Sequence, residues 1–485
     1  MTGPLGSTGR IGAARLARLL GDWRGAPLGA GYLALAAAVR ALLRDGRLGL
    51  SVRLPAERVL AAELGASRTT VSAAYRLLRE QGYLTSRRGS GSTTRLPSGP
   101  GASTTGVWAP DDDADIDLGC ASLPAPEGLT AAAERAVARL GGYAEGHGYH
   151  PAGLPELRAV LADRYTRAGV PTGPEEILVT TGAQQALDLL LRLLAAPGER
   201  MLLESPTYPN ALAALGQSRL AAATVAVGPD GWDLDPVLPG LAAGHFRMAY
   251  LIPDFHNPTG ALLGTDGRHR LLRAARAGGT PLVVDETFAD LWHEVPPDLP
   301  RLAALDRHRR VVTVNTMSKA YWGGLRVGWL RAAPALVQRL VALRAAADMA
   351  GAVLDQLVAL ELLERSADLL AARRSVLTAR RDVLASAVRE YLPDWRFRVP
   401  DGGVTLWVEL DEPVSSALAR AAERHGLRLA PGPMFGAEGT LERFLRLPFT
   451  RPEAELVESV RRLAAARADL DAPGPRRPAH PTVVA

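Results

Sequence analysis

The stretch TMSKAYWGGLR, residues 316–326, holds the only lysine of the chain, Lys319. The sequence counts 56 Lys+Arg, so the other 55 (56 − 1) are arginine. Heavy Ala, Arg and Gly usage is the pattern of a coding bias that makes lysine scarce; that explains the rarity but not the position. Arginine keeps its charge in almost any surroundings, whereas lysine can shed a proton and become a nucleophile. Lys319 is preceded by Thr316 and Ser318, follows the apolar run RVVTVN (310–315) by four residues, and lies seven residues before Arg326. The position marks a site where a condensable amine is needed.

RVVTVN is one of five short apolar runs, with ILVTT (177–181), RMLLE (200–204), RMAYLI (247–252) and PLVVDE (281–286). Helical stretches separate them, which predicts a mostly parallel α/β sheet with ligands at the C-terminal strand ends. Several polar groups fall at those ends. TTGAQQALDLLLRLL places a glycine turn at a helix start, where free N–H groups favour a phosphate. Asp285 ends the buried run LVVD, a costly place for a carboxylate unless a cation faces it. Asn257 follows another strand in FHNPTG. A phosphate site, a buried carboxylate and one irreplaceable amine are the parts needed to hold pyridoxal phosphate.

The order of motifs YHPAGLPELR, TTGAQQALD, ESPTYPN, PDFHNPTG, VVDE, SKxxxGGLRxG and FLRLPFT resembles the fold-type I aminotransferases over about 350 residues. The resemblance implies an α/β pyridoxal-phosphate-dependent transferase fold with a small C-terminal α+β subdomain. It further implies that Lys319 forms the Schiff base, Asp285 pairs with the pyridinium nitrogen, Asn257 bonds the ring hydroxyl and Tyr208 stacks on the ring. Ala183, Gln184, Thr316, Ser318 and Arg326 would hold the phosphate, and Tyr149 would reach the phosphate of a partner subunit. Arg446 would clamp an effector carboxylate, with Asn257 beside it. Two departures stand out: Phe288 where many relatives carry tyrosine, and Gly323 where proline is common. Losing the tyrosine hydroxyl removes one donor to the ring oxygen, which could impair turnover without abolishing cofactor binding.

Charge is concentrated elsewhere. Residues 26–97 hold 11 Arg against Asp45, Glu57, Glu63 and Glu80, a balance of +7 (11 − 4), while the whole chain carries only +5. A basic module on a near-neutral body suggests a polyanion partner. YLALAAAVRALLRDG (32–46) has helical spacing and stops at Gly46. ERVLAAEL ends at Gly65, and Ser67 can cap RTTVSAAYRLLREQ, which Gly82 terminates. Two short helices joined at Gly-Ala-Ser form a helix-turn-helix whose second helix would enter the major groove. YLTSRRGSGSTTRL (83–96) reads as two strands around an Arg-Arg-Gly-Ser-Gly tip. The string LPAERVLAAELGASRTTVSAAYRLLREQGYLTSRRGSGS resembles the winged-helix domain of the GntR regulators. By that resemblance Arg58, Ser67, Arg68, Thr69, Thr70, Ser72, Arg88 and Gly89 fall at DNA-contact positions.

The expected organisation is a helical lead-in (1–25), a winged helix (26–97), a Pro/Gly/Ser/Thr-rich linker (98–115), the aminotransferase-like body (116–468) and a tail (469–485). A GntR winged helix fused to such a body is the arrangement of the MocR subfamily. The implied function is a regulator, dimeric by the same resemblance, that binds double-stranded operator DNA and senses pyridoxal phosphate or an amine or amino acid. The alternatives are a working aminotransferase whose DNA-binding module controls where or when it acts, and an enzyme with a vestigial module. Composition fits an ordinary globular protein, with 47% hydrophobic and 22% charged residues. The single Cys120 cannot form an internal disulfide, no apolar run is long enough for a membrane span, and no signal peptide is visible, so a cytoplasmic location is expected. No metal site is called for.

Overall fold

The structure, a computed structural model, describes residues 9–24, 31–87, 91–96, 116–436 and 440–471. The expected linker at 98–115, the wing tip with Arg88 and Gly89, and residues 472–485 lie outside the described residues.

Four helices build the N-terminal module: α1 (Ala13–Leu20), α2 (Gly31–Arg44), α3 (Glu57–Glu63) and α4 (Arg68–Glu80). Val71, Ala74, Tyr75 and Leu78 recur every three or four residues on α4 and are all buried, as a single apolar face requires. Ser67 caps α4, its Oγ accepting from Thr70 N–H at 3.0 Å. Gly65 takes φ +55° in the turn before it, a conformation that favours glycine. Strands β1 (Gly9–Arg10), β2 (Val52–Arg53), β3 (Leu84–Arg87) and β4 (Gly91–Thr94) form one sheet in the order β1-β2-β4-β3. The β3–β4 hairpin is the wing. The lead-in belongs to the same unit: Ile11, Leu16, Leu20 and Trp23 share a core with Leu35, Val39, Leu60 and Tyr75. Arg24 then donates to the Leu64 and Gly65 carbonyls at 3.1 and 2.7 Å, bracing the helix-turn-helix turn.

All five expected body strands form. They are β6 (Ile177–Thr180), β7 (Arg200–Ser205), β10 (Met248–Leu251), β11 (Leu282–Asp285) and β12 (Val311–Thr316). With β8 (Ala221–Gly228), β9 (Gly231–Trp232) and β13 (Gly328–Arg331) they make an eight-stranded sheet ordered β6-β13-β12-β11-β10-β7-β8-β9. Pairing is parallel except at β13 and β9. Burial on both faces explains why these strands read as unbroken apolar runs. A smaller antiparallel sheet, in the order Arg396–Phe397, Thr405–Glu409, Phe444–Pro448, Ala430–Pro431, forms the C-terminal α+β layer. Two long helices, Ser366–Tyr391 and Glu453–Asp471, pack together beside it, and the second runs three residues past the expected start of the tail. The body begins with β5 (Ile116–Asp117), which pairs with Leu427–Arg428 and so ties the chain leaving the linker to this layer.

Candidate cofactor cleft and nucleic-acid face

The C-terminal ends of β7, β10, β11 and β12 bring the expected polar groups to one side of the sheet. Asp285 closes β11 and is buried; its Oδ1 accepts from Thr287 N–H at 2.9 Å and its Oδ2 from Tyr250 Oη–H at 2.6 Å. Burial raises the Asp285 carboxyl above its ordinary value, against the pull of these hydrogen bonds. Tyr250, on the neighbouring strand β10, was not among the expected site residues. A tyrosine inside an apolar run looks like core until its hydroxyl partner is seen.

Lys319 follows β12 and reaches the Gly119–Ser122 segment just beyond β5. Its Nζ donates to Ala121 O at 2.8 Å and Ser122 Oγ at 3.2 Å. Burial, reinforced by the nearby Arg446 cation, lowers the amine from 10.5 to about 8, with Cys120 and Asp285 opposing. Arg446 lies on Phe444–Pro448, is buried, and donates to Gly119 O. Its guanidinium sits 4.9 Å from the Phe435 ring centroid, and its Nε has no partner. Burial lowers its pKa to about 10, so it stays charged at neutral pH. Lys319 and Arg446 are thus both held by one short segment, through the Ala121 carbonyl and Ser122 hydroxyl on one side and the Gly119 carbonyl on the other, while Arg446 Nε is left for a further acceptor.

The other expected residues surround this pair. Gly182, at φ +115°, caps the helix Ala183–Leu194; a Cβ there would lie 3.1 Å from Arg326 Nη2. Arg326 donates to Thr181 O at 2.7 Å, and Thr316 Oγ1 shares a 2.9 Å hydrogen bond with Ser318 Oγ. A helix N-terminus, two hydroxyls and a guanidinium can together hold a phosphate. Tyr208 is half-buried, its hydroxyl accepting from Asn210 Nδ2 at 2.9 Å. Buried Asn257 Oδ1, Gln184 Oε1 and Thr207 Oγ1 all lack hydrogen-bond partners, an unusual concentration for a protein interior. The donors that fit pyridoxal phosphate are the helix N-terminus at Ala183, the Thr316 and Ser318 hydroxyls and Arg326, with the unpartnered Thr207 hydroxyl next in sequence to Tyr208. Phe288 is buried in the main core, with no hydroxyl to offer. Tyr149 is 53% exposed and stacked on His147.

On the module, Ser67, Arg68 and Thr69 are exposed at the start of α4, with Thr70 half-buried beside them, and Arg58 is exposed in the first turn of α3. Ser67 Oγ also bonds the hydroxyls of Thr69 and Thr70, at 2.7 and 2.8 Å. Ser72 instead donates to Glu57, linking α4 to α3.

Comparison with known proteins follows this division. Residues 119–463 match aminotransferase class I and II, and residues 31–93 match the bacterial regulatory proteins of the gntR family. The uncharacterized HTH-type transcriptional regulator YdcR of Escherichia coli is 30% identical over 86% of this chain and 94% of its own. The probable rhizopine catabolism regulatory protein MocR of Rhizobium meliloti is 29% identical over 81% of this chain and 84% of its own. The crystal structure of LysN from Thermus thermophilus is similar with a TM-score of 0.67 and 33% identity, covering 73% of this chain and 92% of that one. It is an alpha-aminoadipate aminotransferase complexed with N-(5'-phosphopyridoxyl)-L-leucine.

Two outcomes follow from the cleft geometry. Tyr250→Phe keeps the ring and removes a hydrogen bond to a carboxylate, worth about 1.5–3 kcal/mol. Pyridoxal phosphate should bind this variant roughly tenfold more weakly; an absorbance titration giving wild-type affinity would remove Tyr250 from the site. The rate at which cofactor-free protein captures pyridoxal phosphate should rise with pH and level off above about 8, where the Lys319 amine is neutral. A rate still climbing towards 10.5, the ordinary lysine value, would mean that the amine is not desolvated.

Proposed function

The chain belongs to the aminotransferase class I and II family, joined to a gntR-family module as in the MocR-type regulators, and on that basis we propose that its cofactor cleft senses an amine or amino acid and sets the module's hold on DNA. It is a DNA-binding regulator with an aminotransferase-like domain that binds pyridoxal phosphate. The observation that carries the sensing reading is the pairing of the chain's only lysine with a buried arginine on one four-residue segment. An amine-condensing group and a carboxylate clamp side by side suit a ligand with an amino group and a carboxylate close together.

Pyridoxal phosphate supplies an aldehyde and an electron-withdrawing ring through which an amine can be bound covalently. This chain's residues do the rest. Lys319, neutral above about pH 8, provides the displaceable nucleophile. Asp285, held by Tyr250 and Thr287, offers its carboxylate to the pyridine nitrogen. When the cofactor is bound, Asn257 would serve the ring oxygen, Tyr208 would cover the ring, and Ala183, Gln184, Thr316, Ser318 and Arg326 would take the phosphate. Arg446 exchanges the Gly119 carbonyl for a ligand carboxylate. With Phe288 the ring oxygen has one donor fewer than with tyrosine, which supports capture over rapid turnover. Exposed Tyr149 supports a homodimer in which it serves the partner's cleft. Among the described residues no helix is long and apolar enough to cross a membrane.

Lys319→Ala and Lys319→Arg should both fold and both lose the yellow absorbance of the bound cofactor. Retention of that band in the arginine variant would show that the lysine is not the anchor. In the module, Arg68→Ala should cost about 1–3 kcal/mol on a preferred duplex and relax its sequence preference. Equal losses on preferred and random DNA would make Arg68 a phosphate contact only.

A further inference from the structure

The module is docked on the body, and the contact is closely fitted. Arg10 N–H donates to Pro236 O at 2.9 Å, Leu50 N–H to Thr224 Oγ1 at 2.8 Å, and Arg15 Nε to Asp233 Oδ2 at 2.8 Å. Leu441 N–H, from the body, donates to Arg44 O at the end of α2. Two buried glycines permit the approach. A Cβ on Gly9 would lie 1.7 Å from Pro236 O, and one on Gly49 would lie 2.5 Å from Thr224 O. Neither has the positive φ that favours glycine, so closeness to the other domain's backbone is what excludes a side chain there.

The same contact leads into the cleft by two short routes. Leu441, fully buried, packs in a small cluster with Phe435, whose ring lies under the Arg446 guanidinium. A Cβ on Gly46 of the module would meet Leu441 Cδ2 at 2.8 Å and Ser205 Oγ at 3.2 Å. Ser205 ends β7, three residues before Tyr208, and Phe435 O accepts from Thr207 N–H at 2.8 Å. The end of α2 therefore bears on the elements that hold the carboxylate clamp and the ring-covering tyrosine. Arg58, Ser67, Arg68 and Thr69 remain exposed in this arrangement. Docking leaves the DNA-reading face uncovered.

We propose that this docking surface, centred on Gly9, Arg15, Gly46 and Gly49 of the module and Ser205, Thr224, Asp233 and Leu441 of the body, couples the two domains by fixing the module's orientation rather than by masking its DNA face. The inference rests on the sensing reading above and adds its route. A ligand that shifts Arg446 or Tyr208 must disturb Phe435, Leu441 or Ser205, and through them the seat of α2. Linkage makes the effect reciprocal, so loosening the seat must change the cleft's affinity.

The test is pyridoxal phosphate affinity, by absorbance titration without DNA, for cofactor-free wild type, Arg15→Glu, Gly49→Ala and the double variant Arg15→Glu/Asp233→Arg. Arg15→Glu and Gly49→Ala should each shift the affinity by about fivefold or more, the scale of ordinary coupling between sites. The double variant should return to within twofold of wild type, which a misfolded module would not do. Binding of each variant to a single-half-site duplex, chosen by the wild type from a randomised pool, should stay within twofold. Equal affinities for pyridoxal phosphate in all four proteins would overturn the coupling route and leave the sensing reading standing. A wild type that takes no pyridoxal phosphate at Lys319 would overturn both.

Discussion

Burying a cation affects lysine and arginine differently, and the cleft depends on that difference. Removing an ammonium from water favours its neutral form, whereas a guanidinium starts so far above neutrality that burial leaves it charged. Both outcomes occur against one short segment of this protein, Gly119–Ser122. Lys319 falls to about 8 and Arg446 to about 10, each mainly through desolvation. One group can become neutral near pH 8, and the other keeps its charge. The rest of the body uses arginine wherever a buried charge must persist. Fully buried Arg268 pairs with Asp254, Arg301 joins Glu286 and Asp290, and Arg344 is shared between Asp348 and two backbone carbonyls. A coding bias towards arginine is harmless in those places and impossible at 319.

The sheet supplies the geometry for this pair. Parallel strands end together, so the polar residues that follow β7, β10, β11 and β12 converge although they are far apart in sequence. Asp285 can be kept at the end of a fully apolar strand because Tyr250 and Thr287 give its two oxygens donors. β5 adds the remaining side: paired with Leu427–Arg428, it delivers the carbonyls of Gly119 and Ala121 to Arg446 and Lys319. These carbonyls are weaker partners than a carboxylate or an aldehyde, so they hold the cations in place without blocking exchange.

Much of this was legible in the sequence, for reasons that differ from residue to residue. The five core strands are buried on both faces and so appear as apolar runs that need no alignment to find. Ser67, Gly65 and Gly82 punctuate the helix-turn-helix through capping and turn chemistry, which is local. Lys319 is conspicuous through scarcity. Tyr250 was not legible, because its role depends on the neighbouring strand's register, a non-local fact. Nor was the lead-in's place in the module: Leu16, Leu20 and Trp23 show an amphipathic face, but nothing local says which core it joins. Ser72 was expected among the DNA contacts by resemblance, and its hydroxyl is donated to Glu57 on α3, a partner that only the fold reveals. The interface glycines were invisible for the same reason as Tyr250: a glycine without positive φ looks like any small residue until the opposing backbone is placed.

Phe288 bears on what the cleft is for. A tyrosine there would add a donor to the ring oxygen, helping to hold the charge distribution that repeated proton transfers require. Phenylalanine keeps the packing, since it is buried in the main core, and removes only the donor. The groups proposed to bind are in place: the Lys319 amine, the Asp285 carboxylate, the Gly182 turn with Arg326, and the Arg446 guanidinium. The part withdrawn is one that tunes turnover. On the proposed sensing reading that loss is tolerable, because occupancy of the cleft would depend on the amine and the guanidinium, and the seat of α2 would respond to occupancy rather than to product. A receptor built from an aminotransferase could lose catalytic tuning while keeping its binding contacts, and the residues at 285, 288, 319 and 446 fit the proposed reading in that way.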